Sequence, residues 1–447
     1  MRLRGRAVVL IVLLVFVPLT AVLTASPARA GPAPVCYTGL SPYAGICLVI
    51  GQPGLTTLTA GQAPSPTSIG NPTDVAFDSK GDLWVVDTSN DRVLEYAPPF
   101  STGEAAALVI GQTSLTGSGD TSSAGSFFDP TGLAFDPSGN LWVVDSGDNR
   151  ILEFAAPFAT GEKASIVIGQ PTFGGYVGAT TSGGLNDPSY VAFDPSGNLW
   201  VTDQGNNRVL EFAAPFSIGE KASVVIGHAN FTSFAPSSTV TAKSLFEPVG
   251  IAFDSKGDLW VVDSGDDRVL EYTAPFSIGD SAAIAVIGQS SLTGTSTGLH
   301  ALAIAFDSGG DLWVSDGISG VTEYQGPLST GEAGIQEIGP TVNGTGTPPG
   351  DKLRDPQGIA FDANDNLWVA DYDHGRVVVY GSTVVRTTSG SSSSSSSTTT
   401  SGGGVPVFPY QLVTAVAFTI LIVTSYLLVR RRIRPWTGAS ESRPAPA

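Results

Sequence analysis

The chain has 447 residues, room for two or three ordinary domains, and sets 22 Lys and Arg against 40 Asp and Glu, a net charge of −18. Nine of the basic residues lie in the two tails, so residues 31–386 hold 13 basic against 39 acidic side chains. Such a surface repels phosphate backbones and argues against nucleic acid as a partner, while 14% charged residues is too dilute for a disordered polyelectrolyte.

Residues 1–30 read as a signal peptide. Arg2, Arg4 and Arg6 precede an eleven-residue apolar run, 7–17, and Ala28-Arg29-Ala30 has the small-x-small form of a cleavage site. An uncleaved anchor is the alternative, for which eleven residues is short. An N-terminal segment, 31–46, follows. The only cysteines, Cys36 and Cys47, most simply pair with each other in an exported chain, with two free thiols as the alternative.

From 47 to 381 one unit recurs. Its tryptophans, Trp84, Trp142, Trp200, Trp260, Trp313 and Trp368, are spaced by 53 to 60 residues, a period expected of a solenoid or propeller. Each unit predicts four short strands, as in Leu133-Ala134-Phe135, 141–144, 150–154 and 165–168, joined by turns rich in Gly, Pro, Asp and Asn. The second is apolar on consecutive positions, as a strand covered on both faces should be. With no helical periodicity between them, these strands read as propeller blades. The fifth unit departs from the pattern, with Asp316-Gly-Ile-Ser-Gly320 and His300-Ala301 where the others have an Asp-to-Arg spacing and a proline. The sixth stops after its third strand, and residues 47–52, which match a fourth-strand ending, are expected to complete it and close the ring.

Gly-Asn-Leu-Trp-Val-x-Asp followed by Asn-Arg-Val or Asn-Arg-Ile resembles the NHL repeat, and the resemblance covers residues 72–380. It implies an all-β fold, a six-bladed β-propeller, and says little about activity because functions on this fold are diverse.

After the ring, residues 382–404 form a Ser/Thr/Gly-rich stalk. Residues 405–429 contain twenty largely apolar positions, 410–429, enough for one transmembrane helix, and the arginines that open 430–447 place that tail in the cytoplasm. The expected topology is a single-pass cell-membrane protein with its repeats extracytoplasmic. Processing of the C-terminal helix, as in a surface-sorting signal, is the alternative.

Five Asp and Arg pairs, Asp87/Arg92, Asp145/Arg150, Asp203/Arg208, Asp263/Arg268 and Asp371/Arg376, recur with the repeat and so read as structural. No nucleophile motif or phosphate-cradling loop appears, and no catalytic residue or metal ligand is assigned. No cofactor is expected; Ca²⁺ held by the Asp and Asn of the loops is the alternative to plain turn chemistry. Before the apolar core of the innermost strands stand Asp74, Gly132, Tyr190, Gly250, Ala303 and Gly358, of which Asp74 and Tyr190 carry functional groups. His228, His300 and His374 map to the face of the inter-blade loops, and Asn230 and Asn343 begin glycosylation sequons.

Those loops, 113–129, 171–187, 229–247, 290–299 and 341–355, vary most, whereas Ala-Pro-Phe-x-x-Gly-Glu repeats on the opposite face. The expected function is therefore a cell-surface binding propeller that shows its variable loops to a protein or glycan, with Asp74, Tyr190, His300 and His374 as contacts. An extracytoplasmic lactonase-like or lyase-like enzyme with its site at the channel mouth is the alternative.

Overall fold

Alternation along the strands explains the ring. In 83–86, Leu83 and Val85 pack against Trp368, Ala370, Val377 and Val379 of the preceding repeat, while Trp84 and Val86 pack against Leu133, Leu141, Val143 and Leu152 of the next. A strand whose two faces each find an apolar neighbour is buried throughout, which is why the second strands read Leu-Trp-Val-x-Asp with no polar face. The computed structural model describes residues 45–57, 63–237, 239–279, 281–295, 298–340 and 352–381. These lie in the first of two compact units, Met1–Val385; the second, Arg386–Ala447, is outside the described residues, as are the expected leader, stalk, membrane helix and tail. Among the described residues no helix is long and apolar enough to cross a membrane.

The described residues form six four-stranded antiparallel sheets. Blade 1 comprises Pro72–Phe77, Leu83–Asp87, Arg92–Tyr96 and Leu108–Ile110, from the inside out. The pattern repeats from Pro130–Phe135, Pro188–Phe193, Pro248–Phe253 and Ala301–Phe306, so each first strand begins earlier than its apolar core. Blade 5 pairs fully in spite of its divergent sequence. Blade 6 takes Pro356–Phe361, Leu367–Asp371 and Arg376–Tyr380 from one end and Ile46–Ile50 from the other, with Val49 opposite Val378 and Ile50 opposite Val377. A glycine ends every fourth strand because the chain turns there at positive φ under an apolar side chain. At Gly111 φ is +85°, and a Cβ would stand 2.2 Å from the Phe127 ring.

The Ala-Pro-Phe segment does more than turn on the opposite face. Its phenylalanine packs edge-on against the tryptophan of the preceding blade, as Phe158 does on Trp84 at 4.8 Å and Phe100 on Trp368 at 4.9 Å. Its glycine then bonds to that blade's outermost strand, Gly161 N to Val109 O at 3.4 Å and Gly219 N to Val167 O at 3.1 Å. Gly103 N does the same to Val49 O at 3.1 Å, so blade 1 latches the closing strand. Each latch covers a sheet edge that would otherwise be open to pairing.

Candidate functional site

The variable loops are anchored by the repeated ion pairs. In five blades arginine Nε donates to aspartate Oδ2 at 2.6–2.7 Å, with both side chains fully buried. Aspartate Oδ1 accepts the backbone N–H that leads into the first strand, from Gly70, Phe128, Asn186, Phe246 or Arg354, at 2.6–2.7 Å. The guanidinium holds loop carbonyls on both sides: Arg208 donates to Thr181 and Gly184 O at 2.9 Å and to Phe231 O. Burial pushes Asp145 and Asp263 up to about 7 and Asp203 to about 6, against the opposing pull of their arginines. In blade 5, Gly320 replaces the arginine and Asp316 instead caps its own turn, accepting from Ile318 and Ser319 N.

The six inner positions alternate in size because neighbouring blades leave no room there. A Cβ on Gly132 would stand 2.8 Å from Ser189 O, and one on Gly358 would stand 2.6 Å from Asp74 Cα. Asp74 and Tyr190 are brought together. The Tyr190 hydroxyl donates to Thr73 O at 2.9 Å, tying blade 3 to blade 1, and burial followed by the nearby Asp74 charge pushes the phenol well up. Asp74 accepts from Val75 N and Leu133 N, each at 2.9 Å, yet burial raises it to about 7. A carboxyl raised from 3.8 to about 7 by folding confers stability that is complete below its unfolded value and is lost as pH rises through about 7. The span is roughly 4 kcal/mol at most. Asp74→Ala, which copies Ala303, should flatten the pH dependence of unfolding between about pH 4 and 7; an unchanged slope would assign it to other groups.

Around the loop-face mouth stand residues that the sequence reading missed: Asp129, Asp187, Glu247 and Asp355, all at φ near +50°, just before the innermost strands. Their signal was available, an acid preceding four of the five first-strand prolines, with Asn71 before the fifth. Burial, then Asp120 and Asp187, push Asp129 up; burial, then Asp373, push Asp355 up to about 6. His300 takes the equivalent place in blade 5, exposed and close enough to Asp267 to lower its pKa against the effect of burial. Asn149 and Asn207 link this rim to the loops. Each side-chain amide donates to a loop carbonyl, Tyr176 O at 3.0 Å or Phe234 O at 2.9 Å, and accepts from Asp187 N or Glu247 N at 2.7 and 2.9 Å.

The other expected contacts separate. His374 is buried in the turn between second and third strands, its Nδ1 2.8 Å from Asp371 Oδ2, the place Asn90 and Asn206 take in their blades. It braces the ion pair and does not face the mouth. His228 Nε2 contacts Asn206 O at 3.0 Å, one residue before the carbonyl to which Gln112 and Gln170 donate in blades 1 and 2. Asn230 is exposed, its Oδ1 accepting from Thr232 Oγ1 at 2.9 Å. Asn343 lies outside the described residues. Cys47 is disulfide-bonded, and Cys36, the partner expected for it, also lies outside them.

With this geometry the chain can be set beside known proteins. Residues 70–96, 127–154, 185–212 and 353–380, in blades 1, 2, 3 and 6, match the NHL repeat. Human NHL repeat-containing protein 3 is 26% identical over 239 residues, covering 52% of this chain and 57% of its own length. The chain therefore spans little more than half of that curated relative. Solved structures that align with it include a catalytically inactive virginiamycin B lyase from Staphylococcus aureus with quinupristin, at 16% identity and TM-score 0.42, over 69% of this chain and 79% of that one. A gluconolactonase from Xanthomonas campestris aligns at 16% identity and TM-score 0.45, over 75% and 98%. The described residues thus form a six-bladed β-propeller, four of whose blades match the NHL repeat.

Proposed function

We propose that this is a cell-surface binding propeller that engages a protein or glycan partner through its loop face. The observation that carries the reading is a set of exposed apolar side chains, Phe128, Tyr176, Val177 and Phe234, on loops held to buried Asp and Arg hubs. Large side chains on a backbone already fixed lose little entropy on binding, which is what a recognition surface needs. The neighbouring carboxylates of Asp187 and Glu247 add acceptors for sugar hydroxyls or for cationic side chains. The exposed changes Tyr176→Ser and Phe234→Ser, singly and together, should weaken capture of arrayed glycans or surface proteins, the pair at least tenfold, and leave Tm unchanged. Undiminished capture by these variants would overturn the reading.

A lactonase-like or lyase-like enzyme is the second reading, and Asp74 favours it. A carboxyl near neutrality beside the Tyr190 phenol can hold or accept a proton at working pH.

A further inference from the structure

The turn between first and second strands occurs six times in two chemical forms. In blades 2, 3 and 6 an aspartate opens it and an asparagine closes it: Asp136 with Asn140, Asp194 with Asn198, Asp362 with Asn366. The asparagine Nδ2 donates to the aspartate at 2.8–2.9 Å and, in blades 2 and 3, to Glu153 or Glu211 of the third strand at 3.1 Å. Ser165 or Ser223 donates to the same glutamate at 2.6–2.7 Å. The buried indoles of Trp142, Trp200 and Trp368 donate to the aspartate at 3.2–3.3 Å.

Blades 4 and 5 replace both donors. Asp258 and Asp311 stand where the asparagine stands, and Ile284 and Ile335 stand in place of the serine. Three carboxylates then converge, Asp254, Asp258 and Glu271 in one blade and Asp307, Asp311 and Glu323 in the next, each set with its oxygens within 4.8 Å of one another. Burial and the facing carboxylates push Asp258 and Glu271 up.

A second observation goes with the acidic form of the turn. The indoles of Trp260 and Trp313, 2% and 4% exposed, keep their N–H groups without a hydrogen-bond partner, as does that of Trp84 in blade 1. The Trp260 ring has not turned away: it meets Phe306 at 5.9 Å and 67°, as Trp200 meets Phe253 at 5.8 Å and 69°. The ring thus keeps the packing of Trp200, which donates to Asp194 at 3.2 Å in blade 3. Lys256 answers the charge weakly, 3.8 Å from Asp254 and mostly exposed, and Gly309 takes its place in blade 5. Blade 1 also has the acidic form, but there Lys80 spans both aspartates, Asp78 at 3.6 Å and Asp82 at 3.9 Å.

We propose that Asp254, Asp258 and Glu271, and likewise Asp307, Asp311 and Glu323, each bind a divalent cation of the calcium class. All-oxygen ligands select a hard cation, and ligands at about 2.3–2.6 Å from Ca²⁺ stand as much as about 5 Å apart, which fits the clusters. A water on the ion would accept the indole N–H. These sites lie on the face opposite the loops, so they stand or fall separately from the binding reading.

The test is Ca²⁺ bound per full-length chain, by equilibrium dialysis with elemental analysis, for wild type, Asp258→Asn, Asp311→Asn and the double variant. Asparagine already serves this position in three blades, so the variants should fold. Each single variant should lose one equivalent and the double variant two, together with the rise in Tm that Ca²⁺ gives the wild type. Lys256→Ser, an exposed change, should tighten the blade 4 site several-fold. Equal Ca²⁺ in wild type and double variant, or none in the wild type, would overturn the proposal.

Discussion

Removing residues 45–57 from the chain should abolish cooperative folding of the ring. Ile46, Leu48, Val49 and Ile50 are all at least 95% buried, and the four side chains together contribute about 6–12 kcal/mol at 1.5–3 kcal/mol each. That is comparable to the whole stability of a domain. The loss also uncovers the Arg376–Tyr380 edge and removes Val49, to which Gly103 of blade 1 bonds. A shorter intervention gives the same sign: Val49→Asp buries an unpaired carboxylate against Val378 and should cost several kcal/mol. Thermal unfolding by circular dichroism checks both, and a truncated chain that melts within a few degrees of its parent would show that the ring does not depend on this strand.

Arg208→Met should destabilise the fold by about 3–5 kcal/mol, because it leaves Asp203 charged and buried without its counter-ion. The effect should also be local. Arg208 holds Thr181 and Gly184 on one side and Phe231 on the other, so loops 171–187 and 229–247 should become protease-sensitive first. Adding Asp203→Asn should recover part of the loss, since the residual charge is removed while backbone bonds such as Asn186 N to residue 203 can still form. Denaturant titration with limited proteolysis reads both parts. A loss below about 1 kcal/mol would mean that the pair is no stronger than an exposed one.

The bond of Tyr190 to Thr73 spans 117 residues and exists because the ring curves blade 3 back toward blade 1. No local pattern announces such a contact, so the sequence marked Asp74 and Tyr190 only by their position in the repeat. His374 shows the reverse error. Its loop position suggested an exposed contact, whereas the turn folds its imidazole inward onto Asp371. The latch is a third case: Ala-Pro-Phe reads as a turn within its own unit, yet its bonds belong to the preceding blade. The amino-acid sequence alone determined the strand count, the six-fold period, the closure of blade 6 by residues near 47–52 and the structural role of the Asp and Arg pairs. These rest on spacing within one unit or on repetition across units, which six copies make visible. Only the tertiary structure decided which side chains meet across blades: the acidic rim of the mouth, the orphaned indoles beside paired aspartates, and the edge each latch covers. Those contacts join residues tens of positions apart, and their geometry is set by the curvature of the closed ring.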